Sequence, residues 1–125
     1  MKYKQSAEIL VQTANQVGVV QTLHSVFGKN IKVQIGFGSK ACDTSIEELD
    51  YSVRAFNSLK RAGVTTVGQT IDLIASDELL KIRNLGKKTE VEIKTRILAF
   101  GYGWLTEQQK KQFFVDLLQL NCTEE

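Results

Sequence analysis

The sequence predicts a mainly α protein: a compact helical bundle, preceded by an N-terminal helix and one short β-strand and followed by a C-terminal helix. Several segments carry apolar residues at helical spacing, and helix-capping and helix-stopping residues separate these segments. Proline is absent from the 125 residues. One segment, residues 30–37, alternates apolar and polar side chains, which is typical of a half-buried strand.

The N-terminal part, residues 1–45, is predicted to contain one helix over residues 5–27, although Gly18 weakens that helix by about 1 kcal/mol relative to alanine. The strand that follows has no obvious partner strand in the protein. Because unpaired strand edges tend to find another strand, we expect a possible homodimer through this segment. The alternative is that both terminal segments fold back on the hairpin domain of their own chain. The apolar strand residues are Ile31, Val33, Ile35 and Phe37.

From residue 46 the pattern changes to short helices with turn signals between them. A helix capped by Ser52 ends at Gly63, and Val53, Phe56 and Leu59 are predicted to form its apolar side. The segment "TTVGQTIDLIA" predicts the next helix.

Three further helices are predicted after residue 75. A short helix in "SDELLKI" would be capped by Ser76, and a longer one would run from about Lys87 to Phe100, where "GYG" breaks it. A last helix begins with a capping box of Thr106 and Gln109. We therefore expect a central domain over residues 46–103 and a C-terminal helix over 104–125.

Composition is that of a soluble globular protein, with 42% hydrophobic and 24% charged residues. The net charge of +2 is unevenly distributed, because residues 51–100 carry nine basic and five acidic side chains, giving +4. Such clustering is typical of nucleic-acid binders. Neither a signal peptide nor a membrane span is indicated, and Cys42 and Cys122 have no metal-like spacing, so we expect a cytoplasmic protein with reduced thiols.

The side chains that enzymes need are missing from the sequence. His24 is the only histidine, and there is no Ser/His/Asp set, metal-binding cluster or GxxxxGK loop. We expect no catalytic activity, no metal and no cofactor.

Polar side chains along the helix after Ser52 form the first candidate binding site. They recur at offsets 0, 3, 4 and 7, which places them on one helical face. An arginine beside short hydrogen-bonding side chains differs from the usual Glu and Lys of a solvated face, although a plain surface remains the alternative. The four residues are Arg54, Asn57, Ser58 and Arg61.

The stretch "IRNLGKKTEVEIKTRI", residues 82–97, is the second candidate site. The first amides of a helix have no internal partners, and the helix dipole is positive there. Gly86 allows close approach to those amides, Lys87 and Lys88 add charge, and Thr89 adds a hydroxyl. This arrangement suits a nucleic-acid phosphate and has helix-hairpin-helix character. The alternative is a tight interhelical turn with solvated lysines.

These residues resemble a known family. Residues 46–102, which contain "SVRAFNSLKRAG" and "LLKIRNLGKKTEVEIK" at the family's order and separation, are similar to the C-terminal domain of the bacterial RNA polymerase α subunit. The resemblance implies a compact helical bundle with helix-hairpin-helix motifs. It also implies binding to the minor groove of A/T-rich double-stranded DNA upstream of promoters, and contacts with σ factor and activators.

The family's functional positions can be carried over residue by residue. The acidic positions implied to contact σ factor are Glu48 and Asp50, for which ordinary helix-start charge is the alternative. Glu90 and Arg96 depart from the family, because apolar residues are expected there. The positions implied to contact DNA are Arg54, Asn57, Ser58, Gly86, Lys88, Thr89 and Glu92.

The sequence thus predicts a DNA-binding protein linked to transcription. It begins with a helix and strand in place of the large assembly domain of a polymerase α subunit, so we expect a free-standing protein that carries this domain. The first alternative is a protein-interaction module that mimics the polymerase domain to bind σ factor or a transcription regulator. The second is a non-specific hairpin module of the DNA-repair type.

Overall fold

A computed structural model describes residues 3–34 and 37–122 of the protein, and within them the fold is mainly α, as predicted. Three short 3-10 turns, at Gly28–Asn30, Ile46–Leu49 and Leu79–Lys81, lie between the helices of this described part. Its α-helices are α1 (Lys4–Val17), α2 (Val19–Phe27), α3 (Ser39–Cys42), α4 (Val53–Arg61), α5 (Val67–Ala75), α6 (Lys87–Tyr102) and α7 (Glu107–Asn121).

The protein divides into two compact units. One, the central unit, consists of Gln34–Ile97; the other, the terminal unit, consists of Met1–Val33 together with Leu98–Glu125. Both candidate sites lie in the central unit.

The core of the central unit is built by α4, α6, the turn before α4 and the turns between the two helices. Its buried residues are Ile46, Ala55, Leu59, Val64, Leu79, Leu85 and Ile93. Val53, which we predicted to share the apolar side of α4, is instead 76% exposed. The reason is that the buried side of α4 consists of Ala55, Ser58 and Leu59, at the spacing i, i+3 and i+4.

Hydroxyl caps begin the two middle helices of the central unit. The Ser52 hydroxyl accepts a hydrogen bond from the Ala55 amide at 3.2 Å, as predicted. Thr66 and Gln69 form a capping box for α5 that the sequence analysis missed.

The predicted cap at Ser76 is wrong. Ser76 ends α5, because its amide donates to the Asp72 carbonyl at 3.0 Å. Asp77 then adopts a left-handed conformation with φ of 59°, and only the 3-10 turn Leu79–Lys81 follows. The backbone thus turns tightly towards α6 instead of forming another helix.

The single helix predicted over residues 5–27 is also wrong, because Gly18 separates α1 from α2. Gly18 has φ of 97° and ψ of 154°, far from helical values and accessible mainly to glycine. The glycine therefore ends one helix and begins the next.

Packing in the terminal unit involves α1 and α7. The capping box of Thr106 and Gln109 begins α7 as predicted, and Glu8 on α1 pairs with Lys111 on α7 at 2.9 Å. The helix α6 ends at Tyr102, two residues past its predicted end at Phe100. The Tyr102 ring contacts Phe113 and Phe114 edge to face. The buried apolar residues of α1 and α7 are Ala7, Leu10, Ala14, Phe114, Val115, Leu117 and Leu118.

No strand is seen over the described part of the segment 31–37; Ile35 and Gly36 lie outside the described residues. The Asn121 side chain takes the place of a partner strand at Lys32. Its Oδ1 accepts from the Lys32 amide at 2.7 Å, and its Nδ2 donates to the Lys32 carbonyl at 3.1 Å. The backbone at Lys32 is therefore satisfied within the protein itself. Self-association through residues 31–37 stays a prediction.

Among the residues that the structure describes, no helix has both the length and the apolar character needed to cross a membrane.

We predict that Gly68→Ala destabilises the central unit, because α3 packs against α5 at this point. A Cβ at Gly68 would lie 3.0 Å from Cys42 Cβ and 3.2 Å from the Cys42 carbonyl oxygen. Overpacking of about 1–3 kcal/mol should outweigh the gain of at most about 1 kcal/mol from alanine in a helix. Denaturant titration should show a lower free energy of unfolding.

Gly38→Ala is the matched control. A Cβ at Gly38 meets no atom within 4 Å, and its φ of −69° is open to alanine. If Gly68→Ala is as stable as this control, the close α3–α5 contact is wrong.

Candidate nucleic-acid interface

The outer face of α4 presents Arg54 and Asn57 to solvent. Both residues are exposed or partly exposed on that face, and neither side chain has a hydrogen-bond or ion-pair partner among residues 3–34 and 37–122. Arg61, one turn further along, is exposed as well. An arginine with no carboxylate beside it can bind an anion without first breaking an ion pair.

Ser58 does not belong to this face. Its exposure is 0%, and its Oγ is buried without a hydrogen-bond partner in the described structure. The polar stripe predicted at four positions of α4 is thus open to solvent at Arg54, Asn57 and Arg61 only. Ser58 lies with Ala55 and Leu59 on the buried side of α4, where its small side chain fits against the core.

The beginning of α6 is a turn followed by free amides. Asn84 adopts a left-handed conformation with φ of 65°, Leu85 is buried, and the Gly86 carbonyl accepts from the Glu90 amide at 3.0 Å. The amides of residues 87–89 donate to no group in the described part of the protein. Unlike α4 and α5, α6 has no side-chain hydroxyl bonded to these amides, which remain available to a ligand.

Gly86 is not required by the packing of the fold. A Cβ at this position would meet no atom within 4 Å, and its φ is not left-handed. Its lack of a side chain instead leaves open space in front of the first amides of α6, where an anion could approach.

The lysines at this helix start differ from one another. Lys87 Nζ lies 3.1 Å from Glu90 Oε1, whereas Lys88 is exposed and has no ion pair among the described residues. Thr89 is only 7% exposed, so little of the hydroxyl-bearing side chain is open to a ligand. The free positive charge beside the uncapped amides is therefore that of Lys88.

Glu92 joins the two candidate sites. One carboxylate oxygen accepts from the Ser52 amide at 2.6 Å and the other from the Ser52 hydroxyl at 2.8 Å. Lys88 and Glu92 are four residues apart and share a face of α6, while Arg54 is two residues beyond Ser52. These bonds hold the start of α4, two residues before Arg54, against α6 one turn after Lys88, and both oxygens of Glu92 are occupied by protein groups.

Tyr51 and Arg96 lie close to Glu92, the carboxylate that binds Ser52. The Tyr51 hydroxyl is buried without a hydrogen-bond partner in the described structure, and burial raises its pKa, with the Glu92 charge adding to the rise and Arg96 opposing it. Arg96 Nη1 lies 3.8 Å from Asp50 Oδ2. The Arg96 Nε is buried without a hydrogen-bond partner in the described structure, so this contact engages only one end of an arginine that stands where the sequence led us to expect an apolar residue.

The two acidic positions, Glu48 and Asp50, lie shortly before Ser52 in the sequence. Glu48 is exposed, and the Asp50 side chain is 92% exposed on a residue with left-handed φ of 60°. Neither carboxylate is needed to hold the core.

Comparison with known proteins finds a related family over most of the central unit. Residues 37–98 match the model of the family formed by the C-terminal domain of the bacterial RNA polymerase alpha subunit. The DNA-directed RNA polymerase subunit alpha of Symbiobacterium thermophilum is 48% identical over 63 residues, which are 50% of this chain and 20% of that protein. The corresponding subunit of Clostridium botulinum is 45% identical over 64 residues, 51% of this chain and 20% of that protein. The similarity thus covers about a fifth of each relative, and no solved structure matches significantly.

We predict that Ser52 and Glu92 are energetically coupled. Ser52→Ala removes the cap of α4 and the hydroxyl bond to Glu92, so it should cost about 1 kcal/mol or more of stability. The double variant with Glu92→Ala should be less destabilised than the sum of the single variants, with a coupling energy of about 0.5–3 kcal/mol. Denaturant titration of the four proteins measures this.

Thr66→Ala provides the control cycle, because Thr66 caps α5 and makes no bond to Glu92. Its effect should add to that of Glu92→Ala within about 0.5 kcal/mol. Equal coupling in both cycles would contradict a specific joint between Ser52 and Glu92.

Proposed function

We propose that the central unit, whose residues 37–98 match the family model of the C-terminal domain of the bacterial RNA polymerase alpha subunit, is a transcription-related module that binds the minor groove of A/T-rich DNA. One observation carries the proposal. The start of α4, which carries the unpaired Arg54, is hydrogen-bonded through Ser52 to Glu92 of α6, one turn after Lys88. Because bacterial chromosomal DNA lies in the cytoplasm, a protein that binds it would be cytoplasmic.

Arg54 is proposed to enter the groove. The minor groove of A/T-rich DNA is narrow and has a more negative potential, which favours an inserted arginine. Asn57, one turn along the same face, would lie beside it. Because this groove distinguishes little beyond A·T from G·C, selection would depend on groove shape more than on individual bases.

The start of α6 is proposed to hold a backbone phosphate of the same duplex. The amides of residues 87–89 supply donors, the helix dipole supplies a positive end, and Gly86 lets the phosphate approach. Lys88 adds a full charge. A phosphate contact of this kind fixes the register of the protein on DNA and carries no sequence information itself.

Two residues that the resemblance implies as DNA contacts are proposed to act indirectly. Glu92 would set the position of α4 against α6 through Ser52, since both of its oxygens are engaged there. Ser58 would let α4 pack closely on the core, since it is fully buried.

Arg54→Ala should weaken binding to A/T-rich duplex by about 1–3 kcal/mol and reduce the preference for it over G/C-rich duplex. Lys88→Ala should weaken binding to both duplexes alike and flatten the dependence of log K on log salt by about one unit. Fluorescence anisotropy titrations with both duplexes at two or more salt concentrations measure both effects.

Lys60→Ala is the control on the same helix. Lys60 is exposed but lies over the Phe56 ring, 5.5 Å from its centroid. If Lys60→Ala weakens binding as much as Arg54→Ala, the interaction is general charge attraction and the groove proposal is wrong.

A second proposed function is protein binding through Glu48 and Asp50, to σ factor, RNA polymerase or a transcription regulator. The observation in its favour is the 92% exposed Asp50 carboxylate, whose Arg96 partner is 3.8 Å away. Such an exposed, loosely held pair is worth about 0–1 kcal/mol, so a basic partner surface could compete for the carboxylate.

Charge reversal at Glu48 and Asp50 should abolish capture of σ factor by the immobilised protein and not weaken DNA binding, because both residues lie outside the proposed DNA contacts. Arg54→Ala serves as the reciprocal control, with σ capture retained. Wild-type protein that captures neither σ factor nor polymerase would leave these carboxylates with no partner role.

A further inference from the structure

Glu90 is a buried carboxylate within the first turn of α6. It is 3% exposed. Its two oxygens lie 3.1 Å from Lys87 Nζ and 3.4 Å from Lys94 Nζ. A buried charge is costly unless it is paired, and here the pairing engages a lysine of the proposed phosphate site.

The contact with Lys87 can be contested by another anion. Glu90 Oε1 has no hydrogen-bond partner in the described structure, so the 3.1 Å approach is charge attraction without an aligned hydrogen bond. The Lys87 side chain is also 46% exposed, whereas that of Lys94 is 16% exposed. Lys94 therefore keeps Glu90 paired even when Lys87 turns outward.

We propose that Glu90 limits the affinity of the α6 start for DNA by competing with phosphate for Lys87. This inference rests on the proposed DNA binding. In the wild type, Lys88 and not Lys87 is free to neutralise a phosphate at the start of α6. When a neutral side chain replaces Glu90, Lys87 becomes a second cation there, and one more counterion is released from DNA on binding.

A purely structural role for Glu90 makes a different prediction. Acidic side chains in the first turn stabilise a helix through its dipole. If that were the whole role, neutralising Glu90 would lower stability and leave the number of phosphates neutralised unchanged. The salt dependence of binding thus separates the two roles, because it counts phosphates.

The test uses Glu90→Gln in the 125-residue chain with an A/T-rich duplex over a salt series. Affinity should rise roughly three- to tenfold, and the slope of log K against log salt should steepen by about 0.9. Lys87→Ala should change wild-type affinity less than about twofold, yet cancel the gain when combined with Glu90→Gln. Circular dichroism checks the fold, and Glu90→Leu provides a second neutral variant.

Each outcome bears on the proposal. If the wild type binds DNA and both neutral variants have its affinity and its slope of log K against log salt, the proposal is wrong. A gain that persists when Lys87 is replaced by alanine also overturns it, because the route through Lys87 is then absent. If neither the wild type nor the neutral variants bind duplex, the proposed function fails and this inference fails with it.

Discussion

The bond between Glu92 and Ser52 is the interaction on which the arrangement of the candidate site depends. Ser52 caps α4 while its own amide and hydroxyl donate to a carboxylate on α6. The same few atoms therefore begin one helix and fix it against another. Since the exposed arginine follows immediately on α4 and the free amides lie one turn away on α6, a change at this joint would alter both parts of the site together.

The cations of the central unit differ in whether a carboxylate lies beside them. Arg54 and Lys88 are exposed and unpaired in the described part of the protein, whereas Lys87 and Arg96 each have a carboxylate partner. Net charge alone would treat these four cations as equal. Because pairing removes most of the field of a cation, the surface available to an anion is smaller and better defined than the sequence suggests.

Local signals account for what the sequence predicted well. The caps at Ser52 and Thr106 and the exposed position of Arg54 depend on neighbours within one or two turns, which the sequence displays directly. The partners of Glu92 and Arg96 lie 40 or more residues away in the sequence, and no spacing rule reveals them. Ser58 was misplaced because its size suits either face of a helix, and only packing decides between them.

The Asn121 side chain affects how the backbone at Lys32 can pair with another chain. A side-chain amide offers both a donor and an acceptor, so it can satisfy a backbone residue as a neighbouring strand would. The segment beginning at Ile31 is rich in residues that favour extended structure, and such segments with open edges promote aggregation. With the Lys32 amide and carbonyl both bonded to Asn121, neither backbone group of that residue is open to a strand of another copy.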